Sequence, residues 1–269
     1  MERIKRFAAR HPVTFVLLAL VGWLLTASVF VFLSGLALSV NYIDLLPQAL
    51  GATIATLLFI LLAGILGWLR AAGIARLGNW QVWLVALIST IYLVLAYQLG
   101  FFGQIMLDLS QVRYSSQAQT LLLRQLQVAF VEETLFRGIL LYALVRVWGG
   151  SRRGLFGSAL LSGLFFGIIH LLQAFAGSTP ADAVLTVINS FLSGFWWAAL
   201  VLVWGSIWPV IFIHAFTNLA VQIPSLMYTP VDPLWWAYIR IILLELPLVA
   251  YGVWLIRRIP LRSVVPEAP

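Results

Sequence analysis

Val131-Glu132-Glu133-Thr134-Leu135-Phe136-Arg137-Gly138 places three charged side chains within six residues of one long apolar run. Ionisable groups at membrane depth are costly, so they mark a functional site or a paired structural device. The rest of the chain makes the membrane the frame for that choice. It has 269 residues, 62% of them hydrophobic and only 9% charged, where a soluble domain is about 25% charged. Long apolar runs with basic flanks predict an all-α integral membrane protein. A β-barrel would show ~10-residue alternating segments, which are absent from the sequence. There is no cysteine, which excludes disulfides, thiolate metal sites and a cysteine nucleophile.

Eight spans are predicted, near 13–34, 48–69, 80–102, 119–145, 154–175, 183–204, 206–223 and 234–256, each long enough to cross a hydrocarbon core of ~30 Å as a helix. The basic segment Met1–His11 precedes an apolar run longer than a signal-peptide core, so that run reads as a retained first span. Between 183–204 and 206–223 only Gly205 and Ser206 intervene, which predicts a tight helical hairpin. Charge placement supports the count. Of the 16 basic residues, 12 fall on one side: Arg3, Lys5, Arg6, Arg10, Arg70, Arg76, Arg146, Arg152, Arg153, Arg257, Arg258 and Arg262. The opposite loops carry Asp44, Asp108, Asp182 and Asp232, with Arg113 their one basic residue. The positive-inside rule then puts both termini in the cytoplasm. The net charge of +7 is accounted for by this bias, without a nucleic-acid partner. Trp80, Trp83, Trp235 and Trp236 suit an interfacial aromatic belt. Residues 1–269 read as a single polytopic domain, and its longest loop runs from about Gly103 to Ala118.

Three spans carry the polar residues. Glu133 and Arg137 are four apart and share a helix face, with the acid N-terminal to the base. Glu132 is rotated about 100° away, so it lacks that partner and suits general acid or base work. In the fifth span Phe166 and His170 share a face, and Ala159, Gly163 and Gly167 form a small-residue ridge for close helix approach. In the seventh, His214 and Asn218 share a face that suits oxyanion stabilisation. Glu132, His170, His214 and Asn218 fall within roughly 10–25 Å of the cytoplasmic helix ends at 1.5 Å per residue, so they are able to converge on one cavity.

Glu-Glu-x-x-x-Arg, Phe-x-x-x-His and His-x-x-x-Asn, on three helices in this order, resemble the CPBP family of intramembrane proteases. That family includes the type II CAAX prenyl proteases and the bacterial Abi proteins. The resemblance covers about 119–220, the motif-bearing core, and no motif position departs from the pattern. It implies that Glu132 and His170 activate water for attack on a peptide carbonyl. It further implies that His214 and Asn218 stabilise the oxyanion and that Glu133 and Arg137 support them. The family is described both as metalloproteases and as metal-free glutamate hydrolases. A divalent metal such as zinc would draw on Glu132, His170 and His214; the reading favours a site that need not hold a structural metal. No His-Glu-x-x-His is present, so this is not a zincin-type site.

Plainer readings stand beside these. Glu133 and Arg137 form a neutralising pair rather than a catalytic one. Glu132 has Arg124, Arg137 and Arg240 as alternative partners, and the histidines, Asn189 and Asn218 have roles as interhelical hydrogen bonds. Arg240 and Glu245 read as snorkelling or paired residues. Ser162 and Ser193 read as packing positions, since neither lies in Gly-x-Ser-x-Gly.

The sequence thus predicts a multi-pass membrane endopeptidase, in the plasma membrane if the source is bacterial. Its partners would be the bilayer and hydrophobic peptide or membrane-protein substrates, cut near the cytoplasmic face in a cavity open to the cytoplasm. The alternatives are a non-catalytic scaffold or immunity protein of the same family, and a small transporter. Transport would predict an internal repeat, which the sequence lacks.

Overall fold

The computed structural model describes residues 2–41, 44–99, 116–172, 179–222, 239 and 241–261. Asp108, Arg113, Asp232, Trp235, Trp236, Arg240 and Arg262 lie outside the described residues, as does most of the predicted loop from Gly103. The described elements are helical: α1 Glu2–Arg10, α2 Pro12–Leu38, α3 Leu45–Ile65, α4 Trp80–Leu99, α5 Ser116–Glu133, π1 Thr134–Leu140, α6 Leu141–Trp148, α7 Arg152–Ile169, α8 Pro180–Trp204, α9 Trp208–Gln222, π2 Ile241–Glu245 and α10 Leu246–Arg258. Four of them, α2, α3, α7 and α8, are long and apolar enough to cross a membrane, and Trp80–Leu95 is a shorter apolar helix. On α2, α3 and α4 large apolar side chains such as Leu25, Leu61 and Leu95 are exposed, as expected of an outer surface solvated by lipid.

Local chemistry sets several helix ends. The Ser151 hydroxyl accepts from Gly154 N at 3.0 Å and starts α7. Thr179 caps α8 in the same way, with Pro180 at its first turn. The α5–π1–α6 rod is interrupted at π1, a wide turn of the kind found at functional sites. There the Phe136 carbonyl accepts the Leu141 N–H and also the Ser162 hydroxyl, at 3.0 Å from α7. Ser162 is therefore a hydrogen-bond donor to the widened backbone, and more than a packing residue.

Backbones approach closely on the α7 ridge. A Cβ on Gly163 would stand 2.7 Å from Phe195 N, and one on Gly167 would stand 2.8 Å from Val187 O. The predicted small-residue ridge thus seats α7 against α8. On the other side of α8, Gly252 of α10 faces Ala199 and Trp196.

The predicted tight turn between α8 and α9 is formed, but beyond it the two helices meet at few points, chiefly where Trp197 stacks on His214. Gly205 takes a left-handed turn (φ 62°). α8 packs mainly on α7 and α10, whereas α9 packs mainly on α4 and α5. The connection 66–79 packs on the turn that joins them. Ile207 N donates to Gly73 O at 3.2 Å, Trp208 Nε1 to Ile74 O at 2.8 Å, and the Ser206 hydroxyl to Arg76 O. Gly73 (φ 74°) permits this, since a Cβ there would meet Ser206 Cα at 3.0 Å.

The basic connections gather at one end of the bundle. Arg146 lies over Trp68, 4.9 Å from its ring centroid, and Trp68 meets both Tyr142 and Phe15 edge-on. Arg152 Nη1 donates to Ile256 O at 3.0 Å. The segments 66–79, 146–152, 205–208 and 256–258 therefore share an end with the start of α2.

Candidate active site

Burial changes abruptly between the two adjacent glutamates. From Glu133 to Val145 every residue is buried, whereas Glu132 retains 26% of its side-chain exposure. Glu133 and Arg137 make the predicted pair, Nη1 to Oε1 at 3.0 Å, with both side chains fully buried. Arg137 also lies against aromatic faces, its guanidinium carbon 4.2 Å from the Phe166 centroid and 5.2 Å from that of Trp197. Such faces favour a desolvated cation.

Glu133 is not neutralised by Arg137 alone. His214 Nδ1 approaches the same Oε1 at 2.8 Å, so one carboxylate oxygen joins α5 to α9. The sequence made Glu133 a partner of its own helix only; tertiary packing makes it the group that orients His214 as well. Nor is Glu132 isolated, because the other face of His214 reaches it, Nε2 to Oε2 at 3.6 Å. The ring is further clamped by Trp197, stacked at 4.3 Å with the planes 29° apart. With Nδ1–H given to Glu133, Nε2 is the nitrogen turned to Glu132, and the tautomer follows from that partner.

His170 Nδ1 donates to Phe166 O at 2.7 Å, one turn back, which leaves its Nε2 as an acceptor. Phe166 meets the rings of His170 and His214 edge-on, at 4.8 and 6.0 Å. It thereby spaces the two histidines and also roofs Arg137. Asn218 Nδ2 donates to Gln125 Oε1 at 3.1 Å, and Gln125 Nε2 donates to Gln222 Oε1 at 3.0 Å. This amide chain fixes one α9 turn against α5.

Glu132, His170, His214 and Asn218 all line one cavity of about 700 Å³. Trp197, Asn189, Ser193 and Gln125 line it too, and sequence reasoning assigned none of these to the site. Ser193 donates to Glu245 Oε2 at 3.0 Å, so it links α8 to π2. The sequence suggests an interhelical hydrogen bond for Asn189, yet its Oδ1 is buried without a hydrogen-bond partner. The helical spacing of Thr186, Asn189, Ser193 and Trp197 on one face of α8 was the available signal. Gln125 carried one as well, lying seven residues, two turns, before Glu132.

A zinc site does not fit this arrangement. Among the described residues no three His, Cys, Asp or Glu side chains are gathered to hold a metal ion. Glu132 and His214 approach each other, but Glu133 Oε1 is committed to Arg137 and to His214 Nδ1, and His170 is not drawn in as a third ligand. No step below is therefore routed through a metal.

Residues 114–220 match the family model described as type II CAAX prenyl endopeptidase Rce1-like. That segment resembles the Rce1-like family. It spans less than half of the chain, yet it holds every one of the residues Glu132, Glu133, Arg137, His170, His214 and Asn218. The Rce1-like match thus begins just ahead of α5 and ends within α9. It leaves α1–α4 and α10 as the parts that surround the motif core. No curated protein and no solved structure matches the chain.

Proposed function

We propose that the chain is an intramembrane endopeptidase that hydrolyses peptide bonds in hydrophobic or lipid-associated segments, crossing the membrane eight times with its basic end in the cytoplasm. The observation that carries this reading is Glu132, a carboxylate that reaches a large cavity inside an apolar bundle and stands beside an imidazole held by Glu133. The match of the motif core to an endopeptidase family supports the reaction class.

The chemistry uses the chain's own groups. Glu132 takes a proton from a water molecule as the water oxygen bonds the substrate carbonyl carbon. The carbonyl electron pair moves onto oxygen. Asn218 Nδ2 offers a hydrogen bond to that oxygen, and His214, its ring fixed by Glu133 and Trp197, faces it through the Nε2 edge. His170 Nε2, freed by the bond from Nδ1 to Phe166, accepts from the water and orients it. Collapse breaks the C–N bond, the proton on Glu132 passes to the leaving nitrogen, and an acid and an amine result. Donors fixed in a low-dielectric site need little reorganisation, which is why such a buried arrangement is effective.

The test uses full-length protein purified in detergent and a panel of fluorogenic hydrophobic peptides, some prenylated. Wild type is expected to cleave, Glu132→Gln to lose cleavage, and a chelator to leave the wild-type rate unchanged. Equal cleavage by wild type and Glu132→Gln overturns the assignment. Silence of wild type across the panel favours the non-catalytic scaffold.

A further inference from the structure

The cavity does not run toward the basic end. Its walls are the far halves of four helices: Arg124 to Glu132 of α5, the end of α7, Asp182 to Trp197 of α8, and His214 to Gln222 of α9. At the basic end the same helices are closed over by the 66–79 connection and the buried stretches 134–145 and 194–201. A second cavity, of about 210 Å³, also reaches Glu132, from the other side of α5. Leu45, Gln48 and Gln127 line it, and Leu45 opens α3 just after Asp44, on the side opposite the basic connections. Both spaces that meet Glu132 thus extend toward the acidic end of the bundle.

We infer that Glu132 is served from the non-cytoplasmic side, and that the substrate is a polypeptide segment presented there, such as an exported peptide or the outer flank of a membrane protein. This rests on the protease reading and on the charge-based orientation given above. It replaces the expectation of a cavity open to the cytoplasm, which followed from counting residues along isolated helices. The wall of α8 suits an extended chain. Asp182, Thr186, Asn189 and Ser193 recur at helical spacing from the outer end toward Trp197 and His214. An extended peptide carries unpaired N–H groups that such a track can accept, while Leu185, Val128 and Val221 offer apolar contact for side chains. A lipid-modified C-terminus held in the cytoplasm would approach from the closed end.

The absence of native cysteine makes the test direct. Single variants Ala71→Cys in the basic connection, Asn41→Cys at the opposite end and Ser190→Cys in the cavity are expressed as full-length protein. Sealed vesicles of known orientation are exposed to a membrane-impermeant maleimide. Ala71→Cys should react only from the cytoplasmic side. Asn41→Cys and Ser190→Cys should react only from the other. If Ser190→Cys does not accumulate, Thr186→Cys takes its place. Reaction of the cavity cysteine from the Ala71→Cys side, or from neither side, overturns the access route while leaving the orientation intact. Exchange of the Ala71→Cys and Asn41→Cys patterns overturns the orientation, and with it the outward opening. Cleavage by wild type against Glu132→Gln is read separately, so failure of the protease reading does not alter the labelling result.

Discussion

The two halves of the bundle are built from the same helices and behave differently. Toward the basic end, π1, α6 and the last turns of α8 are buried without a break, and Gly163 and Gly194 bring backbones together. Toward the other end α5 and α9 stay paired through Gln125, Asn218 and Gln222, but they part from α7 and α8 around the cavity. The adjacent glutamates stand on the seam. Glu133 is the first residue of the closed half and Glu132 the last that faces the open one. The packed half supplies a rigid support, and the open half leaves a cavity beside a group that the support holds.

Replacing the two glutamates separately should break that comparison most sharply. Glu132→Gln is expected to lower cleavage by about 10²–10⁴-fold, the usual worth of a general base, with the detergent melting temperature unchanged. An equal loss of thermal stability would place Glu132 in the closed half instead. Glu133→Gln should do the reverse in kind. It leaves Arg137 buried without its counter-charge, a cost of about 3–5 kcal/mol, and frees the His214 ring, so stability and activity should fall together. A double Glu133→Gln, Arg137→Met variant should melt higher than Glu133→Gln alone, because no uncompensated charge remains.

Gly163→Ala tests the close approach of α7 to α8. Its Cβ would meet the backbone of Phe195 and Phe191, so a melting point below wild type is expected, with an overpacking cost of about 1–3 kcal/mol. The smallest effect should come from Ser162→Ala, which removes one donor from the Phe136 carbonyl. That carbonyl keeps the Leu141 N–H, so a loss of about 1 kcal/mol is expected, with little change in cleavage rate. A loss as large as that of Glu133→Gln would show that the π turn depends on Ser162.

Much of this was legible in the sequence because it is local. The Glu133–Arg137 contact follows from a four-residue spacing, and the ridge of Ala159, Gly163 and Gly167 follows from another. The motifs also name four of the side chains that line the main cavity, Glu132, His170, His214 and Asn218. What was not legible depends on how helices meet. Nothing local tells that His214 bridges Glu133 and Glu132, because that bond spans 81 residues. The π turn was hidden for the same reason, being braced from another helix by Ser162. The hairpin expectation held at its turn but not along its length, because α8 packs mainly on α7 and α10 and α9 mainly on α4 and α5.

The sequence by itself determined the helical membrane character, the basic end and the identity of the polar residues. Those follow from composition and from periodicity along single helices, where the bilayer's demand for satisfied backbone groups leaves few alternatives. Only the tertiary structure decided which carboxylate holds the histidine and toward which end the cavity runs. Both depend on how helices meet, through the glycine contacts of α7 with α8, the Trp197–His214 stack and the 66–79 connection on the α8–α9 turn, far along the chain from the residues whose surroundings they fix.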